Sequence, residues 1–218
     1  MTGLAAAGAA LREKPYLTPY AEESLDLPLA FEWGEGVPRL TYRDALPQEW
    51  MFGVLWARCG TAREGKILWN MVHTLRQRRC MLKRLCRVCG RTAIDPDTGR
   101  VCWVLPSALA GDFRSPWPTA HPPTCEAHVG EALASCPYLR REAPVVCTVG
   151  DYSPIGVLAN LYGEDDSGRV VETHHQIAVG LDESHLLPRA LAIQLIVQVG
   201  DLQPAPHLAS RRRVVGRP

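Results

Sequence analysis

The chain has 218 residues, 46% hydrophobic and 22% charged, with 24 Lys+Arg against 23 Asp+Glu. That length suits one compact domain, or one domain with a small appendage, able to bury about two thirds of its unfolded surface. The composition excludes collagen-like, coiled-coil and wholly disordered chains, and the longest apolar runs fall well short of the roughly 18–20 residues of a membrane helix. The small apolar stretch 1–10 lacks a basic start, so a signal peptide is not expected and a cytoplasmic, reducing location is. In such a compartment the eight cysteines (59, 80, 86, 89, 102, 125, 136 and 147) favour metal ligation over disulfides.

The near-neutral total hides a segregation along the chain. Residues 1–50 carry Glu13, Glu22, Glu23, Asp26, Glu32, Glu35, Asp44 and Glu49 against four bases. Residues 65–94 have no acid and eight bases: Lys66, Arg76, Arg78, Arg79, Lys83, Arg84, Arg87 and Arg91. A local patch of one sign says more about partners than the overall balance does. The basic segment reads either as a solvated helix face that pairs with the acidic N-terminal part, or as a surface for DNA, RNA or another polyanion. On the second reading Arg76, Arg78, Arg79, Lys83, Arg84, Arg87 and Arg91 are the contact residues.

In chain order, residues 1–30 are Ala-rich, then broken by Pro15, Pro19 and Pro28, and are expected to be loosely ordered. Short strands are expected at Leu29–Trp33, 39–42 and 53–57, punctuated by Gly34, Gly36 and Pro38. Residues 70–85 lack Gly and Pro and read as a helix. Met71, Leu75, Leu82 and Leu85 would form its apolar stripe, with the arginines opposite. Residues 31–84 thus make one segment of strands plus a basic helix.

The segment 85–141 carries the chemistry. Cys86-Arg87-Val88-Cys89-Gly90 is a CxxC followed by Gly, a spacing that lets a tight turn aim both sulfurs at one ion. The stretch Asp95-Pro96-Asp97-Thr98-Gly99 reads as a turn, so 92–94 and 101–105 are expected to pair as a hairpin. Cys125-Glu126-Ala127-His128 is a CxxH that opens a helix over 126–141. Cys125 and His128 share one face of its first turn, and Val129, Leu133, Cys136 and Leu139 line its apolar stripe. The helix N-terminus also favours a thiolate.

Knuckle, hairpin, then two ligands on the first turn of a helix: this order resembles the treble-clef family of zinc fingers. The resemblance implies an α+β fold built on a small zinc-binding module with flanking short strands and helices. It implies Cys86, Cys89, Cys125 and His128 as ligands of one structural Zn²⁺. The long Pro/Ser/Gly stretch 106–123 departs from compact treble clefs. The features Leu75-Arg76-Gln77-Arg78-Arg79, Cys86-x-x-Cys89, Trp103-Val104-Leu105 and His121-Pro122-Pro123-x-Cys125 also resemble a family of small, uncharacterised actinobacterial proteins. In that family the second pair is usually CxxC; here His128 takes the fourth place.

The other cysteines have no paired spacing and read as small buried apolar residues. His121 reads as a loop residue, with an alternate ligand role as the other possibility. His174 and His175, adjacent on a strand, would point to opposite faces. Glycine-rich nucleotide motifs, HExxH and GxSxG are absent. A hairpin without histidine does not match the HNH nucleases that share the treble-clef frame, so a metal-dependent nuclease or hydrolase is the lesser alternative. Residues 142–203 are expected as an α+β unit. Its strands would be 145–149, 156–162 and 170–179, with an exposed turn at 164–168 and an apolar helix over 185–199. A basic tail, 204–218, ends in Arg211, Arg212, Arg213 and Arg217. The functional expectation is a zinc-stabilised binding protein that contacts nucleic acid beside the knuckle. The alternative is a protein-docking scaffold, and no membrane partner is expected.

Overall fold

The computed structural model describes residues 14–25, 28–34, 38–106, 116–135 and 144–210. Cys136, Leu139, the arginines of the tail and residues 107–115 of the 106–123 stretch lie outside the described residues. What is described is α+β and mostly strand. The strands are β1 (Leu29–Trp33), β2 (Pro38–Tyr42), β3 (Trp50–Met51), β4 (Val54–Trp56), β5 (Val101–Pro106), β6 (Trp117–Thr119), β7 (Pro144–Glu164), β8 (Val170–Gly180) and β9 (Ala190–Pro204). The α-helices are α1 (Thr74–Lys83), α2 (Glu126–Ser135) and α3 (Pro206–Ser210). Among the described residues, no helix is long and apolar enough to cross a membrane.

β1 and β2 pair antiparallel as a separate two-stranded sheet. The larger sheet runs β3-β4-β9-β7-β5, with β6 on β9 and β8 on β7. Its axis is the β7–β9 pair, in register from Cys147–Pro204 to Leu161–Ala190. The expected strands 145–149 and 156–162 are two stretches of the single 21-residue β7. Register shifts between Pro154 and Gly156 and between Leu158 and Ala159 let this long strand bend. The expected turn follows it. The Asp165 carboxylate accepts the N–H groups of Ser167 and Arg169 and closes the β7–β8 connection.

The helix expected over 185–199 is not formed. A short 3-10 turn at Leu187–Arg189 leads instead into β9, paired with β4, β6 and β7. Seven of the nine residues Leu191–Val199 are apolar, a run that periodicity cannot tell from a buried helix, although only one face of the strand (Ala192, Leu195, Val197 and Val199) is fully buried. The β-branched Ile193, Ile196, Val197 and Val199 favour the pleated form.

Alternation along β5 explains how the sheet carries two cores. Val101, Trp103 and Leu105 enter the main core with Val54, Trp56, Val157, Leu195, Val197 and Val199. Cys102 and Val104 face the other way, onto Val129 of α2 and Leu208 of α3. A third cluster, Leu40, Tyr42 and Leu55, seats the β1–β2 pair.

Helix α1 forms where expected, but its buried face differs. Met71 and Leu75 are exposed at 53% and 41%, whereas Thr74, Arg76, Gln77, Cys80 and Met81 are buried. The reason is that two polar side chains find internal partners. The Gln77 amide donates to the Ala120 and Leu195 carbonyls and accepts the Leu195 N–H, pinning α1 to the middle of β9. The Arg76 guanidinium pairs with the fully buried Glu23 carboxylate. His73 caps the helix through Nδ1, while its Nε2 lies 2.9 Å from the Gly60 carbonyl and 3.8 Å from Glu23. Burial pushes His73 down from its ordinary value. Burial alone would raise the Glu23 carboxyl, but the Tyr20 N–H and Arg76 outweigh it and hold it below the usual carboxylate range.

Glu23 belongs to the segment expected to be loosely ordered. Residues 16–23 instead run across the molecule as a strap. Tyr16 and Leu17 donate to the Val88 and Arg87 carbonyls at 2.8 and 3.0 Å, Leu17 accepts from His73, and Ala21 donates to Lys66.

Candidate metal centre

The first pair of ligands is set by how α1 ends. Arg84 adopts the left-handed conformation (φ 54°), and its N–H bonds back to the Cys80 carbonyl. The chain then bridges Leu85 to Thr92. Within that bridge Cys86 donates to Arg91 at 2.7 Å, and Gly90 donates to the Cys86 carbonyl at 2.8 Å. Gly90 has φ +70°, and a Cβ on it would stand 2.8 Å from the Tyr16 ring, so both the turn and the strap require glycine there. The Val88 N–H points at the Cys86 sulfur, 3.4 Å away.

The second pair is delivered by a Pro-rich lead-in that is tied to both neighbours. The Trp103 indole donates to the His121 carbonyl at 2.7 Å. Thr124 donates to Cys102 at 3.1 Å, and the Pro123 carbonyl accepts from Arg87 of the knuckle at 2.9 Å. Cys125 then stands just before α2, its carbonyl accepting the His128 N–H at 2.9 Å. The expected 92–94/101–105 hairpin is present as the single bridge Ile94–Val101, closed by an Asp95 turn in which the carboxylate accepts from Asp97 and Thr98.

As a result Cys86, Cys89, Cys125 and His128 come together, with one ligand atom from each and all four atoms within 4.8 Å of one another. Cys89 and Cys125 have sulfurs 3.9 Å apart, and the Cys125 sulfur is 3.0 Å from His128 Nδ1. A zinc tetrahedron with bonds of about 2.3 Å to sulfur has edges of roughly 3.8 Å, so the donor set and its size fit such an ion. The four ligands would fill the coordination shell and supply a structural crosslink. Cys86 and His128 are buried, and Cys86 and Val88 are members of the main core, so the site is continuous with the hydrophobic interior. Hydrogen bonds from the Cys125 thiol and from knuckle amides push the Cys86 thiol down to about 5, despite burial, while donation to Cys86 and burial push Cys125 up. A thiolate at Cys86 is the species a metal binds.

His121 is not a member of this group. Burial, helped by the Arg87 charge, pushes it down to about 4. Cys80, Cys102 and Cys147 are buried, as expected, and burial pushes each thiol up to about 12. Cys59 is half-buried, and none of the described cysteines is disulfide-bonded. His174 and His175 are both exposed, next to Gln176 at φ 49°, where β8 leaves regular alternation.

The basic residues divide by location. Arg76 is 6% exposed in its ion pair with Glu23. Arg78 and Arg87 are half-buried, Arg78 lying 4.6 Å over the Trp56 ring. Arg79, Lys83, Arg84 and Arg91 are exposed. Arg84 also lies 5.2 Å over Tyr152, whose hydroxyl donates to Leu82. The expected pairing of the basic segment with the acidic N-terminal part is made by Arg76 and Glu23, but buried rather than solvated; no spacing in the chain marks His73 beside them or the Gln77 clamp. A polar residue on a helix face carries no local mark of a partner 53 or 118 residues away.

Comparison with protein-family models, with curated proteins and with solved structures gives no match to this chain.

Proposed function

We propose that the protein is a zinc-stabilised binding protein. Cys86, Cys89, Cys125 and His128 hold one structural Zn²⁺ in a treble-clef-like module, and the adjoining basic segment contacts nucleic acid. The observation that carries the metal half is the convergence of three sulfurs and one imidazole nitrogen from two pairs far apart in sequence. Such a set has the composition of closed structural zinc sites, in which protein ligands occupy all four positions; catalytic zinc keeps one position for water. For the nucleic-acid half, support comes from the exposure of Arg79, Lys83, Arg84 and Arg91 within one acid-free segment.

Two measurements test this. Purified protein should contain one zinc per chain, lost in Cys86→Ser. Binding to single- and double-stranded oligonucleotides should weaken steeply with salt, and further when Arg79, Lys83 and Arg84 become Ala together. Binding that ignores both salt and the triple substitution would remove the nucleic-acid half.

A second reading, docking of a protein partner, is favoured by Trp69, Met71 and Leu75, which are 54%, 53% and 41% exposed around the start of α1. A partner that stays bound to the wild type and dissociates from Met71→Ser/Leu75→Ser would favour it over the first.

A further inference from the structure

Where the strap crosses the zinc knuckle, the two elements enclose a cleft of about 580 Å³. Its charged and aromatic lining is Lys14, Tyr16, Tyr20, Arg63, Arg76 and Arg91, and Val88 and Cys89 of the knuckle complete the wall. Among the described residues no carboxylate lines it. Glu23, the nearest acid by bonding, is engaged by Arg76 and by the Arg63 N–H. Arg63 and Arg76 lie 5.2 and 5.8 Å from the centroid of the Tyr16 ring, and the Lys14 ammonium lies 5.5 Å from that of Tyr20. Lys14 and the Arg63 guanidinium lie against ring faces, and among the described residues neither side chain is in an ion pair. Arg63 holds the left-handed backbone conformation (φ 54°), and its N–H to Glu23 fixes where its side chain starts.

We propose that this cleft is a binding site for a phosphate ester, with the phosphate held by Lys14 and Arg63. Cations converging on a concave wall focus positive potential, and guanidinium groups match phosphate oxygens in a bidentate way. The volume lies within the range of small-ligand sites and exceeds what a bare phosphate fills, leaving room for the organic group of the ester. Arg76 acts from behind, anchored by Glu23 and packed on Tyr16. The strap is bonded to the knuckle at Tyr16–Val88 and Leu17–Arg87, so the cleft and the metal module share one frame. The ester has two sources, a phosphorylated small molecule or the backbone of a nucleic acid. For the second source alone the inference rests on the nucleic-acid reading above.

Calorimetric titration of the zinc-loaded full chain tests it with three probes: inorganic phosphate, adenosine 5′-monophosphate and a short oligothymidylate. The same titrations are run on Lys14→Ala/Arg63→Ala, which leaves the buried Glu23–Arg76 pair in place, and thermal melting checks its fold. The site predicts saturable binding of adenosine 5′-monophosphate, competition by inorganic phosphate, and at least a tenfold loss of affinity in the double variant. Oligothymidylate that binds the same site with the same tenfold loss assigns the site to nucleic acid. Oligothymidylate that does not bind assigns it to small phosphate esters, supporting the inference while counting against the nucleic-acid reading. Oligothymidylate bound equally by wild type and variant, with no binding of the small probes, overturns the inference and leaves that reading standing. Absence of binding by all three probes overturns the inference and counts against the nucleic-acid reading.

Discussion

The β7–β9 ladder and the metal module are held together in opposite ways. The ladder spreads its cohesion over continuous pairing from Cys147–Pro204 to Leu161–Ala190, with Leu195, Val197 and Val199 fully buried beneath it. The knuckle Leu85–Ile94 and the segment His121–His128 are held by two isolated bridges, a few single backbone bonds and four side chains aimed at one point. Removing any one ladder bond leaves its neighbours to hold the register. The module has less redundancy, because its two candidate ligand pairs lie far apart in the chain and, apart from a metal, are joined by the Arg87–Pro123 backbone bond and by packing against the main core. The sheet should therefore persist without the ion, and the module should not.

The largest effect is expected from removing a ligand. Cys86→Ser should lose zinc, and backbone amides across 85–95 and 121–130 should exchange rapidly, while those of β7 and β9 stay protected in hydrogen-exchange mass spectrometry. Loss of protection across the sheet as well would dissolve the contrast.

Next comes the strap. Glu23→Gln leaves the buried Arg76 charge unmatched and should cost about 3–5 kcal/mol in chemical denaturation. Glu23 and His73 are both held below their ordinary values. Each group then binds protons more readily in the unfolded chain, so its stabilising contribution is complete above its unfolded value and is lost as pH falls. Stability should decline first below the ordinary histidine value of 6.5 and again below the carboxylate value of 4.5. In His73→Gln the first decline should shrink.

Gln77→Leu probes the clamp between α1 and the ladder. It strands the Leu195 N–H and carbonyl in mid-sheet and should cost about 1–3 kcal/mol. The smallest effect belongs to the stripe that periodicity alone would bury. Leu75→Ser, on the exposed face, should change stability by no more than about 0.5 kcal/mol. A large loss there would restore the expected helix face.

These variants mark what could be read from the residues. CxxC-Gly and CxxH are local spacings, each satisfied within one turn of chain, so the ligand pairs were legible. Their meeting was legible only through the resemblance that orders knuckle, hairpin and helix. β1 has the bounds its alternation predicts, Leu29–Trp33. β9 reads as a helix because its half-buried positions Leu191, Ile193 and Ile196 are as apolar as its buried ones, so no clean alternation marks the strand. The other failures are non-local. Arg76 reads as solvent-facing, and Gln77 carries no mark at all, because their partners, Glu23 and Leu195, are distant in the chain. The strap reads as loose because its bonds are made by backbone atoms to the knuckle and α1, which no side-chain pattern announces.

Native mass spectrometry of the full chain, purified without added metal, tests the central claim most directly, with wild type beside Cys125→Ser. The account predicts wild-type protein carrying the mass of one zinc ion, and Cys125→Ser carrying none with its β7–β9 sheet still folded. A wild-type chain that is fully folded and free of metal would contradict it.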